Sequence, residues 1–431
     1  DDVVADIAKG FAALMSEEGK RKVSVCRDCR LSSEHYRDLL VQGMVEGGLD
    51  VTDLGVLPTG LFYYSLFNLD VEGGIMITGS HNPADQNGFK VAVGKATLYG
   101  QQIQYVRKII EEKRFVKGNG SYREYKGLVE DYYNFLRSNI SLTKRFKVVI
   151  DAGNGTGGVI AVPIMQEMGQ DVIPLFCDMD GHFPNHFPDP TVEKNIEVLR
   201  KTVLENKADI GIGYDGDADR IGVIDNEGTI IWGDYLMIIF ARDVLRGHKG
   251  AAFVSEVKCS KNLYEEVEKH GGVPIMWKAG HSLIKQKMKE TGALLGGEMS
   301  GHVFFADKFF GYDDAVYASL RLLEIMCRDE RPVSEFLKDI PKMYSTPEIR
   351  MDCPDAVKFD VVKRLTEYYR ERYQVIDIDG VRVVMNDGWG LVRPSNTGPI
   401  LVLRFEAETP EAMKRIQDMV MKDLDKMMKG N

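Results

Sequence analysis

The chain has 431 residues, 44% of them hydrophobic and 28% charged, with a formal net charge of −10. That length allows two to four domains with substantial cores, and the composition is that of an ordinary globular protein. The acidic balance excludes a general nucleic-acid binder, because phosphate backbones require a basic surface; an anionic ligand has to be captured in a local basic pocket.

No apolar run reaches the length of a membrane span, and the chain opens on Asp1 and Asp2 without the basic flank of a signal peptide. No nucleic-acid or membrane partner is expected; a monomer in the cytoplasm is.

Apolar strand-like runs alternate with helical patterns, as in a mostly parallel α/β protein. The first run, "RKVSVCRDCR" (21–30), leaves a loop holding Cys26 and Cys29. No second pair follows at zinc-ribbon spacing, and two arginines and an acid surround this one, so reduced thiols without a redox role are expected. The second run, "EGGIMITGSHNP" (72–83), ends abruptly in small and polar residues around Ser80. The same layout returns twice. "RFKVVIDAGNGTG" (145–157) leads to "ADIGIGYDGDADR" (208–220), and "GAAFVSEVKCS" (250–260) to "TGALLGGEMSGH" (291–302). Intervals of about a hundred residues suit repeated domains rather than a solenoid.

From residue 342 the pattern changes to short strands around Gly380 and Asp387-Gly388 turns, with two helical segments. The expected architecture is α/β. It has three similar mixed α/β domains, each a mostly parallel sheet with flanking helices, and a C-terminal α+β domain with an antiparallel sheet. The boundaries read as 1–126, 127–229, 230–341 and 342–431.

Four loops carry chemistry. In "DGDADR", Asp215, Asp217 and Asp219 alternate and would share one side of an extended segment. Three carboxylates there repel unless a cation lies between them, and oxygen-only ligands indicate a hard ion such as Mg²⁺. An EF-hand is excluded because Asn226 stands at the twelfth loop position. Arg220 beside them is equally readable as a counter-ion or a phosphate contact. In "LVRPSNTGPILVLRF", Arg393, Ser395, Asn396, Thr397 and Gly398 form either a plain turn or a cradle for a phosphate dianion. In "GGEMSGHVFF", Glu298, Ser300 and His302 suit vicinal sugar hydroxyls, or His302 simply packs near Phe304 and Phe305. With a metal cluster and a phosphate cradle in one chain, Ser80 becomes a candidate nucleophile or phosphate carrier. His81 would assist it or shape the turn, and Lys90 is near enough in sequence to fold back.

Together, "TGSHNP", "DGDADR", "GEMSGH" and "RPSNTGP" resemble the phosphoserine, metal, sugar and phosphate loops of the α-D-phosphohexomutase superfamily. The resemblance runs over essentially the whole chain, and the "GEMSGH" form resembles the phosphomannomutase/phosphoglucomutase branch. It implies a mutase that interconverts hexose 1- and 6-phosphates through a phosphorylated Ser80 and a hexose 1,6-bisphosphate intermediate. One Mg²⁺ would bind Asp215, Asp217, Asp219 and the Ser80 phosphate. Arg393, Ser395, Asn396 and Thr397 would grip the non-reacting phosphate, and Glu298 and Ser300 the sugar hydroxyls. Lys90 and His302 are expected near the transferring groups, Lys258 and His281 on the substrate, and Arg220 in the site.

A hinge near 340–346 would let the fourth domain close. The sequence as it stands begins at what reads as the helix following the family's N-terminal strand, so a catalytic contact and an edge strand are expected to be missing. The glycine in "TGSHNP", where the family more often has alanine, is expected to loosen the loop slightly. Cys26 stands where the family often has glycine, a tolerable change. A non-catalytic sugar-phosphate binding protein and a metal-dependent phosphatase are the alternatives.

Overall fold

The computed structural model describes residues 1–395 and 398–429. Four sheets succeed one another along the chain. The first joins β1 (Lys22–Arg27), β2 (Asp50–Val56), β3 (Gly73–Ile77), β4 (Phe89–Val93), β5 (Ala96–Thr97) and β6 (Ser121–Glu124) in the order β5-β4-β3-β1-β2-β6. The second joins β7 (Lys147–Asp151), β8 (Asp171–Leu175), β9 (Ile210–Tyr214), β10 (Ile221–Asp225) and β11 (Ile230–Ile231) as β11-β10-β9-β7-β8. The third joins β12 (Ala252–Glu256), β13 (Val273–Trp277), β14 (Leu295–Gly297) and β15 (Val303–Phe305) as β13-β12-β14-β15.

One pattern underlies all three. The first strand lies between the second and third, parallel to both, and a fourth strand returns antiparallel along the third. The layout expected from sequence passed over the second strand each time. β8 (DVIPL) and β13 (VPIMW) each carry a proline, Pro174 and Pro274, which argues against a strand in sequence and is tolerated here because both lie at a sheet edge, and β2 carries Thr52 and Asp53. The repeat has a consequence for chemistry. The Ser80, Asp215 and Glu298 loops all occupy the turn from third to fourth strand.

The fourth sheet is antiparallel throughout, with β16 (Tyr344–Ser345), β17 (Ile349–Asp352), β18 (Gln374–Ile376), β19 (Val381–Met385), β20 (Gly388–Pro394) and β21 (Ile400–Ala407). Helices Asp355–Arg370 and Pro410–Met428 pack against it. β11 pairs with β10, Val223 opposite Ile231, as the last strand of the second sheet.

The first three sheets share one continuous apolar cluster, and the fourth has its own. Helix Ala315–Arg328 is buried from Ala315 through Cys327 and joins the second and third units; Tyr214 Oη and Ser319 Oγ share a 2.7 Å hydrogen bond. Asp314 caps that helix, accepting from Tyr317 N–H at 2.9 Å. The fourth unit docks on the third through buried Trp389, with the Arg382 guanidinium 3.7 Å from its ring. Among the described residues no helix is long and apolar enough to cross a membrane.

Candidate active site and metal centre

The acidic loop follows β9, whose five residues are all buried. It is a tight turn, in which Asp215 O accepts from Ala218 N–H at 3.1 Å and Ala218 adopts φ +52°. Convergence of the carboxylates comes from this turn. One oxygen each of Asp215, Asp217 and Asp219 lies within 4.8 Å of the others, all buried. Asp215 Oδ1 accepts from the backbone N–H groups of Asp219 (3.0 Å) and Arg220 (3.1 Å). Thr59 Oγ1 donates to Asp217 Oδ2 at 2.6 Å. Lys90 Nζ, on β4, donates to the Oδ2 atoms of Asp217 (3.1 Å) and Asp219.

Burial lowers the Lys90 pKa, but Asp217 and Asp219 outweigh it and hold the ammonium charged. Burial, with Asp219 and Asp217 beside it, drives the Asp215 carboxyl well above its ordinary range. Asp217 Oδ1 and Asp219 Oδ1 remain buried without a hydrogen-bond partner. Two orphaned carboxylate oxygens beside a third carboxylate are the donor set of a hard divalent cation, and the residues fit one.

Ser80 meets this loop directly: its Oγ donates to Asp215 Oδ2 at 2.7 Å. The approach is close, for a Cβ on Gly216 would sit 2.5 Å from Ser80 O. Ser80 itself has φ +47°, an uncommon conformation for a residue with a side chain. A Cβ on Gly79 would meet the Arg30 guanidinium at 2.6 Å, so the guanidinium packs directly against this glycine. Arg30 and Asp28 belong to the Cys-x-x-Cys segment and were missed as site residues; only their position after a strand, where loops hold function, could have singled them out. Burial raises the Cys26 thiol pKa and pushes Cys29 up to about 12. All six cysteines are free.

Arg220 lies between two histidines, its Nη1 donating to His81 Nδ1 (2.6 Å) and its Nε to His302 Nε2 (3.0 Å). Residues 220 and 302 also form an antiparallel backbone bridge, which ties the metal loop to the sugar loop. His81 falls to about 4 through burial and the Arg220 charge. Against burial, Asp219 and Asp313 raise His302. Asp313, a group not foreseen from sequence, lies with Oδ2 3.2 Å from His302 Nδ1 and 3.6 Å from His281 Nδ1. Its Oδ1 accepts from Lys285 Nζ at 3.0 Å. The two histidine rings stack at 5.7 Å.

The remaining residues line the junction with the fourth sheet. Glu298 Oε1 accepts from Gly280 N–H at 2.6 Å, and Ser300 lies in the following turn, whose Met299 N–H donates to Glu256 Oε1 at 2.9 Å. Burial pushes Glu256 up to about 7, opposed by Lys258. Lys258 Nζ contacts Glu348 (3.0 Å) and Glu256 (3.4 Å). Its loop is gripped from the fourth sheet: Arg382 Nη1 donates to the carbonyls of Val257 (2.6 Å) and Cys259 (2.9 Å), and Arg404 Nη1 to that of Lys258 (2.5 Å). Arg393, on β20, donates from Nε to Asp379 Oδ2 (2.8 Å), which also accepts from Ala279 N–H (3.1 Å). Ser395 is buried, and Lys358 Nζ donates to its carbonyl (2.6 Å) and to Gly398 O (2.9 Å). Asn396 and Thr397 lie outside the described residues.

Ser80, His81, Lys90, Arg220, His302 and the three aspartates thus form one connected cluster, with His281 attached through Asp313. Lys258, Glu298, Ser300, Arg393 and Ser395 stand around the junction of the third and fourth sheets.

Comparison with known proteins agrees along the whole length. Models described as phosphoglucomutase/phosphomannomutase alpha/beta/alpha domains I, II and III match residues 1–117, 129–228 and 232–344, and that of the C-terminal domain matches 348–423. A phosphomannomutase/phosphoglucomutase of Pseudomonas aeruginosa is 46% identical over 422 residues, 97% of this chain and 91% of that relative. A phosphoglucomutase of Neisseria meningitidis serogroup A is 42% identical over 425 residues, covering 97% and 92% of the two chains. The crystal structure of a phosphoglucomutase/phosphomannomutase family protein from Burkholderia thailandensis superposes with TM-score 0.92 at 40% identity, covering 99% of this chain and 93% of that one. Four domain models in chain order, with relatives aligned nearly end to end, make this chain a member of the phosphoglucomutase/phosphomannomutase family.

Proposed function

We propose that this chain is a phosphohexomutase, converting hexose 1-phosphates and hexose 6-phosphates, of mannose and/or glucose, reversibly into one another. The observation that carries the reading is the Ser80 hydroxyl hydrogen-bonded to Asp215 of the acidic triad. In the active form Ser80 carries a phosphoryl group. The P–Oγ bond breaks as the free sugar hydroxyl oxygen bonds to phosphorus, and that hydroxyl's proton passes to a neighbouring base. The resulting 1,6-bisphosphate turns end for end, and its other phosphoryl group returns to Ser80.

A Mg²⁺ held by Asp215, Asp217, Asp219 and the Ser80 phosphate would supply positive charge against the oxygens on which charge develops. Lys90 and Arg220 add fixed cations, and the buried surroundings keep their charges weakly screened. His302 serves proton transfer; His81 and Arg220 hold the phosphoryl side, and Lys258 and His281 contact substrate. Glu298 and Ser300 take the sugar hydroxyls. Arg393, Ser395, Asn396 and Thr397 bind the non-reacting phosphate in either orientation.

The chain acts as a monomer, hinging near 340–346 to close the fourth domain. Its six free thiols suit a reducing compartment such as the cytoplasm.

Mass spectrometry of intact protein and of the Ser80 peptide tests this. We expect a phosphate on Ser80 that is lost on incubation with hexose 1- or 6-phosphate and Mg²⁺. An unmodified Ser80 that glucose 1,6-bisphosphate does not phosphorylate would sink the mutase reading. Release as inorganic phosphate would point to a phosphatase.

A further inference from the structure

One fully buried cation lies behind the nucleophile. Arg30 directs all five of its N–H donors to acceptors. Nη2 donates to Ser80 O (2.8 Å) and Asn82 O (2.7 Å), and Nη1 to Pro83 O (2.5 Å) and Gln86 O (3.0 Å). Nε donates to Asp28 Oδ2 (3.1 Å), which also accepts from Gly79 N–H at 3.1 Å. One ion pair therefore holds peptide groups on both sides of Ser80. The Phe183 ring, from the second unit, covers the guanidinium at 5.1 Å.

The left-handed conformation of Ser80 is strained for a residue with a side chain and persists only where the surroundings impose it. We propose that Arg30 is a positioning residue for phosphoryl transfer: its grip on four loop carbonyls imposes the Ser80 turn and presents Oγ to the metal loop. Arg30 acts on where phosphorus is held rather than on substrate, which is captured by the third and fourth units. A lysine keeps the charge but has three donors on one nitrogen and cannot span carbonyls from Ser80 to Gln86.

This inference rests on Ser80 being the phosphoryl carrier. The test uses Arg30→Lys and Arg30→Met in the full chain, phosphorylated with glucose 1,6-bisphosphate, with phosphate on Ser80 quantified by mass spectrometry. Single-turnover transfer to glucose 1-phosphate is then followed per phosphorylated Ser80. We expect transfer to slow roughly 100-fold in Arg30→Met and less in Arg30→Lys. KM should stay within about threefold of the parent.

Transfer at the parent rate per phosphoserine, with activity lost only in proportion to folded protein, would overturn the proposal. Should Arg30→Met fail to fold, Arg30→Lys, which retains the buried charge, decides it. Ser80→Ala separates the two readings: mutase activity surviving in Ser80→Ala would overturn the carrier role itself.

Discussion

Ser80 Oγ donates to Asp215 Oδ2 at 2.7 Å although 135 residues separate them in the chain. The contact joins the same turn of two repeated units, third strand to fourth, so the candidate nucleophile of one meets the acidic loop of the next.

Ser80→Ala removes the proposed phosphoryl carrier while leaving the Glu298 and Arg393 loops in place. Turnover should fall by roughly 10³-fold or more, with hexose-phosphate affinity, read by calorimetry, changed only a few-fold. A variant that keeps turnover would place the carrier elsewhere.

Lys90 neutralises Asp217 and Asp219 from one side of the triad. Removing one partner of a buried pair costs about 3–5 kcal/mol. Lys90→Met should therefore unfold at lower temperature in chelator, and Mg²⁺ should raise its Tm by more than it raises the parent's. Equal Mg²⁺ shifts would mean that the cation and Lys90 do not share these carboxylates.

Ala218 sits at φ +52° inside the metal loop. Glycine tolerates that conformation without the clash of Cβ with backbone, so Ala218→Gly should stabilise the protein by about 1 kcal/mol in denaturant titration. A fall in stability would show that packing of the buried methyl outweighs the backbone strain.

Asp314 is pushed up to about 7 by burial, against donation from Tyr317 N–H and Tyr132 Oη. Its ordinary value is 3.8. Between those pH values the folded chain keeps a proton that the unfolded chain has lost. Its contribution to stability is thus full below about pH 4, falls as pH rises to about 7, and is level above. Asp314→Asn keeps an acceptor for Tyr317 N–H and does not titrate. Its stability relative to the parent should rise by roughly 3 kcal/mol between pH 5 and pH 7. Parallel urea stabilities of the two proteins from pH 5 to 8 would mean that Asp314 ionises normally.

The chemistry of the four loops was legible because each packs unusual residue types into a few positions after an apolar strand. Three alternating carboxylates between two apolar strands mark "DGDADR" as a candidate cation loop, although their convergence depends on the turn the loop adopts. The second strand of each unit was not legible: β8 and β13 each hold a proline that a strand tolerates only at an edge, and β2 interrupts its apolar run with Thr52 and Asp53. Asp28 and Arg30 read locally as a plain charged pair beside Cys29, because the Ser80 loop that Arg30 holds lies 50 residues further along the chain. Asp313 carries no local signal of its own; it stands beside Asp314, which caps the helix Ala315–Arg328.

The sequence by itself determined the repeated units, the antiparallel last sheet and the residue types at the candidate site, because these follow from local periodicity and short-range spacing. Only the tertiary structure decided which of those residues meet. Arg220 reaches His81 and His302 across domain junctions, and Arg30 closes on the back of Ser80. Such contacts depend on how separate sheets pack, and side chains far apart along the chain leave no shared local pattern from which their contact could be read.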